Sequence, residues 1–445
     1  MNRGQRVLPT QLSLLRKSMN KINMSMLALV AAVCSNAAYA LDLGHDVTIK
    51  GFGTAGLVYN GNNQADFVQD TNFNPKGVGR TENISAVIDS KVGLQMDWQA
   101  TQQLSFTGQA VSKQDPTNSW VPGLQWAFAK FKILPNLDIR AGRIRPAIFM
   151  LSDYLDINYA NPWIRPPVEL YSQLPIANME GVDLLYRPQT GPVNWLIQPF
   201  YGNSKRDMTW HNTATTKNIV GANISASISD FTLRAGYTYT KLSLTLPNSF
   251  ETLVRPNLAT LCNDLGDPAA CTALPAMNPT NKDLSFASVG GTWDNGNYFL
   301  MGEWGKRSSS SFVSDSISWY LSAGARLGKF TPYAAYSRVN NTSSLSFNGG
   351  TGDYGSMTND LVTGLLSNNT MDQNTKTLGL RYDFYKNLDL KLQWDLIDTR
   401  LNNGQQGPGG GIEGTGQGIF TNFVGGFSNS SHTINLFSVA VDFIF

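Results

Sequence analysis

The residues in this 445-residue chain that could do chemistry are few and far apart. A Ser-His-Asp or metal-assisted reaction would have to use His45, His211 or His432, and none of them stands beside a recognisable nucleophile motif. Cys262 and Cys271 lie close in sequence without a third or fourth ligand of zinc type nearby, which argues against a metal site. Gly51-Phe52-Gly53-Thr54-Ala55-Gly56 has the spacing of a dinucleotide-binding loop. That loop needs a strand before it, a helix after it and an acid about 20 residues on. Here the glycines sit inside one alternating segment that runs to Tyr59 and enters an Asn-rich loop, so they read as small residues within a strand. No catalytic centre, metal or cofactor is expected. Charged residues are plentiful but dispersed, and what they can do depends on the elements that position them.

The first of those elements is a leader. Residues 1–40 hold Arg3, Arg6, Arg16, Lys17 and Lys21 with no acid, then the apolar run Met24 to Val33, then Ala38-Tyr39-Ala40. Basic, apolar and small residues in that order spell a cleavable secretory signal, and the run is too short to span a membrane. Beyond it, 29 basic residues face 32 acidic ones, a formal charge of −3 that gives no reason to expect nucleic acid as a partner. Export also favours oxidised cysteines, so Cys262 and Cys271, in a stretch rich in Asn, Asp, Pro and Ala, are expected as a loop disulfide.

After the signal the dominant pattern is alternation. Val92, Leu94, Met96 and Trp98 are interleaved with Lys91, Gly93, Gln95 and Asp97. The same split recurs from Phe231 to Thr240 and from Leu388 to Leu396, with further copies at 220–228, 317–327, 378–384 and 437–445. Successive side chains of a strand face opposite ways, so each segment has one greasy and one polar face. Tight links, such as Ser229-Asp230, Gly328-Lys329 and Tyr385 to Asn387, alternate with long polar ones, such as Asn60 to Ile84, Arg145 to Asn178 and Lys241 to Asn281. Short turns on one rim and long loops on the other are the habit of transmembrane barrels. The connections divide residues 41–445 into sixteen strands in one all-β domain, an even number that lets first and last strands pair and leaves no edge in lipid. Aromatics sort by strand end: Trp98, Tyr186, Phe231 and Phe330 near the tight turns, Tyr59, Tyr201, Trp304 and Trp394 toward the loops. Two such belts bracket a lipid-facing band.

This architecture resembles the sixteen-stranded general porins of Gram-negative outer membranes. The more specific marks are the opening strand Ile49 to Ala55, the basic strand end Arg140-Ala141-Gly142-Arg143-Ile144-Arg145 with the loop behind it, and a last strand ending in the aromatic Phe445. The resemblance implies an outer-membrane homotrimer, passive diffusion of small polar solutes and ions, and a third loop folded into the lumen. It also implies contacts with outer-membrane lipid and lipopolysaccharide, and reading of Phe445 by the barrel-assembly machinery. The third loop, from Asp153-Tyr154-Leu155-Asp156 through Trp163-Ile164-Arg165-Pro166-Pro167, is not of the acidic Pro-Glu-Phe-Gly-Gly type of enterobacterial porins, so selectivity has to come from the residues themselves.

On that frame the charged inward positions become the candidate site. Lys91, Arg140, Arg143, Arg145, Arg234, Arg326, Arg381 and Lys391 are expected to line the pore, together with Asp97, Asp183, Glu303, Asp383, Asp395 and Asp442. Asp153, Asp156, Arg165 and Glu169 belong to the constriction loop. Arg140, Arg143 and Arg145 are expected to oppose Asp153, Asp156 and Glu169 across the narrowest point, with a weak preference for anions. A substrate-specific channel is the alternative, because Tyr159, Trp163 and Tyr171 in the loop could form a binding site.

Overall fold

A computed structural model describes residues 41–42, 44, 46–70, 72–245, 255–311, 313–341, 372–399, 419–422 and 431–445. The signal at 1–40 and His45 lie outside the described residues. Sixteen strands form the barrel, in chain order β1 Val47–Asn60, β2 Lys91–Gln99, β3 Leu104–Lys113, β4 Gly123–Leu134, β5 Leu137–Ile144, β6 Met179–Tyr186, β7 Val193–Asp207 and β8 Thr213–Ile228. They continue as β9 Phe231–Thr245, β10 Lys282–Asp294, β11 Tyr298–Ser309, β12 Ser316–Ala325, β13 Phe330–Asn341, β14 Gln373–Tyr385, β15 Leu388–Thr399 and β16 His432–Ile444. Each pairs antiparallel with its sequence neighbours, and β1 pairs with both β2 and β16, so the sheet closes. Closure satisfies every edge that lipid could not.

The alternation sets which face each residue takes. Leu94, Leu233, Val289, Leu378 and Val439 stand exposed on the outside, while Gln95, Arg234, Ser288, Thr377 and Ser438 face inward. Aromatics bracket that outer band: Trp98 stacks on Phe106 and Phe330 on Tyr382 at the turn rim, Tyr59 and Trp394 flank Phe437 nearer the loops. No described helix is long and apolar enough to cross a membrane, and the strands are the crossing elements. Left-handed backbone at Gly296 (φ 87°) and Gly328 (φ 64°) lets two of the tight links reverse direction.

The glycines of the opening strand are explained by the seam. Gly51 exchanges two 2.9 Å backbone hydrogen bonds with Phe445, whose ring occupies the place a β-carbon at Gly51 would need. Phe443 covers Gly53 in the same way, and Gly56 meets Asp89 and Ser90. The dinucleotide-like spacing is therefore a row of seats for the closing strand and the first loop.

Several loops at the wide rim carry structure of their own. The first loop, 61–90, is knit to the eighth by a small sheet of Asp66–Phe67, Val78–Gly79 and Phe420–Thr421, under which Phe67 and Phe420 meet edge to face. It then reaches across the mouth, where Asn72 accepts the Thr209 N–H (2.8 Å) and the Phe73 ring stacks on Arg206. In the fifth loop, α1 Arg255–Asn263 and α2 Pro268–Ala276 pack Leu258 and Leu261 against Ala270, Ala273 and Met277, and Cys262 is bonded to Cys271 between them. The third loop, 145–178, turns into the barrel.

Candidate pore and its constriction

The third loop leaves β5 and lies against the inner wall formed by β9 to β15, held at four places. At its root, Arg145 donates to Ala177 O (3.1 Å) and Ser152 O (3.2 Å) and pairs with Asp156 at 2.6 Å, tying the start of the loop to its end. Lys113 reaches the other Asp156 oxygen at 2.6 Å. Burial opposes ionisation of Asp156, but Lys113, Arg145 and Lys91 outweigh it and hold the carboxyl well below the usual carboxylate range. Farther along, Arg234 donates to Ala147 O (2.6 Å) and pairs with Glu303 (3.2 Å), which accepts the Met150 N–H (2.9 Å) and the Tyr171 hydroxyl (3.0 Å).

At the loop tip a single ammonium collects the backbone. Lys391 Nζ donates to the carbonyls of Asn158 (2.7 Å), Asn161 (2.7 Å) and Trp163 (3.2 Å) and pairs with Asp442 (2.8 Å), with no exposed surface at all. Arg381 adds a bond to Tyr159 O (2.6 Å) and pairs with Asp383 and Asp389, while Lys91 donates to the Asn158 side chain (3.0 Å). Trp163 is buried and donates its indole N–H to Ser322 (3.0 Å). On the return, Arg165 pairs with Asp89 (3.1 Å) and Asp395 (3.3 Å), and Glu169 accepts from Ser337 (2.7 Å), Gln373 (2.7 Å) and Thr375. Burial raises the Asp89 carboxyl above its ordinary range, only partly offset by Arg165.

Several expectations therefore need correcting. Arg143 does not line the pore. It lies an odd number of residues from Arg140 on one strand, so alternation turns it to the outside, where it meets Glu180 at 2.5 Å. Arg145 is inside but buried beneath the loop. Asp156 and Glu169 are likewise buried and bonded, Asp156 at the root and Glu169 on the far wall, so they do not oppose the arginines across an open gap. Arg326 follows β12 at the tight-turn rim, paired with Asp294 (2.6 Å), at the lower mouth and not in the bore. Trp163 is covered, so the loop does not present it to a solute. Of the expected loop acids, Asp153 alone is exposed, and its charge acts on Arg140 and Arg234.

The side of the lumen left uncovered by the third loop is the inner face of β2 to β6. Arg140 lies there, bonded through Nε (2.9 Å) and Nη2 (2.5 Å) to Asp183. Lys130 and Lys132 of β4 share its face, as their register opposite Arg140 and Asp138 requires. Neither lysine has an acid within ion-pair distance among the described residues, whereas Lys50 has Asp97 (3.0 Å) lower down. Sequence reading passed over Lys130 and Lys132 because β4 carries aromatics on both faces, Trp126 and Phe128 inside and Phe131 outside, which blurs its polarity. Alternation counted from Phe131 and Ile133 would have found them.

Among the described residues no group of three or more His, Cys, Asp or Glu is placed to share a metal ion. No family model and no curated protein matches the sequence. Solved structures do match. Salmonella typhi OmpF in complex with daunomycin aligns over 92% of this chain and 100% of its own, with 13% identity and a TM-score of 0.53. The outer membrane channel DcaP of Acinetobacter baumannii aligns over 92% of this chain and 100% of its own, with 12% identity and a TM-score of 0.51. The chain has the fold of the outer-membrane porins, an all-β transmembrane barrel of sixteen strands.

Proposed function

We propose that the protein is a passive diffusion channel of the outer membrane for small hydrophilic solutes and ions, with a weak preference for anions. The observation that carries this reading is the unequal lining of the lumen. The third loop and the wall behind it neutralise one another, while Lys130 and Lys132 on the uncovered side have no acid partner among the described residues and face one exposed loop acid, Asp153. Charges that line a water-filled narrow point act strongly on passing ions, because screening confines their reach to about 8 Å at physiological ionic strength.

The cleavable leader at 1–40, assembly as a homotrimer, contacts with lipid and lipopolysaccharide, and recognition of Phe445 by the barrel-assembly machinery belong to the same proposal. They rest on the resemblance and on the sequence pattern. Single-channel recording in a planar bilayer tests it: large, ohmic steps are expected, and absence of conductance from correctly folded protein would refute a channel.

A further inference from the structure

We infer that the inner face of β4 and β5 is a subsite for anions that carry a flat apolar ring, the chemistry of a simple aromatic carboxylate; the inference rests on the channel reading above. Moving up β4, the inward residues are Lys130, Phe128 and Trp126. The ring centroids of Phe128 and Trp126 are 6.1 Å apart, and the Arg140 guanidinium lies 5.2 Å from the Phe128 centroid. Beside Phe128, the cross-strand neighbours at the same height are Gly142, Gly181 and Gly202 in turn. The first two of these strands thus offer backbone and no side chain, a flat floor next to an aromatic ring, while Gly202 is buried against Met179.

Below that floor stand the charges. Lys130 is directly opposite Arg140 in the sheet, and like charges so placed repel unless an anion lies between them. Asp183 neutralises Arg140 through two bonds and receives a third from Gln198 (2.7 Å), which leaves Lys130 with no partner among the described residues. Above it, the Trp126 indole N–H is buried and has no acceptor among the described residues. A bare carboxylate such as acetate would meet only the lysine. A ligand with a ring would also cover Phe128 and lie over the glycine floor, and both contacts favour the ring independently of charge. The aromatic residues singled out earlier in the third loop are engaged elsewhere: Trp163 is bonded to the wall, Tyr171 to Glu303, and the Tyr159 ring lies 4.6 Å from the Arg381 guanidinium.

The test compares benzoate with acetate as additions to potassium chloride during single-channel recording. Benzoate should reduce the current of the wild-type channel in a saturable way at concentrations where acetate does not. K130Q should weaken that block at least about fivefold, K130R should retain it, and F128L should abolish the difference between the two anions while leaving chloride conductance in place. Equal effects of benzoate and acetate on the wild type, or wild-type block in K130Q or F128L, would overturn the subsite and leave the channel intact. Folded protein that conducts nothing would instead overturn the channel reading, and this inference with it.

Discussion

The two halves of the inner wall carry the same residue types and use them differently. Along β9 to β15, beneath the third loop, Arg234, Arg381 and Lys391 are largely or wholly buried and their donors go to loop carbonyls and wall acids. Along β2 to β5, Lys130 and Lys132 project into open lumen without a partner among the described residues. A cation on a barrel wall is therefore structural or electrostatic according to what covers it. Under cover, its removal strands buried acids; in the open, its removal changes the field and little else. Arg165 shows that the rule extends to the loop itself, since it is a basic residue whose donors go to Asp89, Asp395 and Ser438 and dock its segment on the wall.

The largest expected effect comes from breaking the covered side. Lys391→Met leaves Asp442 without its cation and takes one donor from each of three loop carbonyls, and removal of one partner of a buried pair typically costs about 3–5 kcal/mol. The variant should unfold at a lower temperature in detergent, and its open-channel current should rise and become noisier as the loop tip loosens. A quiet channel of wild-type conductance would show that the tip is held by something else. On the open side, replacing Lys130 and Lys132 together with Gln should shift the anion-to-cation permeability ratio toward cations by roughly two- to tenfold, with stability altered by no more than about 0.5 kcal/mol. A large loss of stability there would erase the distinction between the halves.

A smaller effect is expected at the mouth. Asp70 of the first loop has its carboxyl raised to about 6, chiefly by burial, against the opposing pull of Arg206. A raised carboxyl pKa means that the docked loop binds a proton more tightly than the free loop does. Docking should therefore strengthen as pH falls through about 6 toward about 4, where the free carboxyl also takes up its proton, and weaken as pH rises through 6. Conductance should decline over that window, and Asp70→Asn should flatten the dependence; a wild-type slope in the variant would assign it to other groups. Reduction of Cys262–Cys271 should loosen only the helical pair of the fifth loop, by at most about 3 kcal/mol of local ordering, with barrel unfolding unchanged. Arg143→Ala should leave ion selectivity where it is, because Arg143 faces outward beside Glu180; a shift in reversal potential would return it to the lumen.

How much of this could be read from sequence follows from the range of the forces involved. The strands and their inward faces are local facts, since alternation with period two is written into each segment, and it placed Lys91, Arg140, Arg234, Arg381 and Lys391 inside. The same parity forbade Arg140 and Arg143 from sharing a face, a deduction available from two residue numbers. What no local pattern contains is partner choice across the lumen. That Glu169 meets Ser337 and Thr375, or that Lys391 gathers the carbonyls of Asn158, Asn161 and Trp163, depends on where a 34-residue loop comes to rest. The link between Phe67 and Phe420 is equally silent, because strands of two residues leave no periodicity to detect.

The reversal potential in a potassium chloride gradient bears most directly on the central claim, that the uncovered lysines of the open wall set selectivity. The wild-type channel should show a potential displaced toward the chloride value, and the Lys130→Gln, Lys132→Gln variant should move toward potassium with the single-channel step preserved. A wild-type channel that prefers potassium, or a variant whose potential does not move, would contradict it.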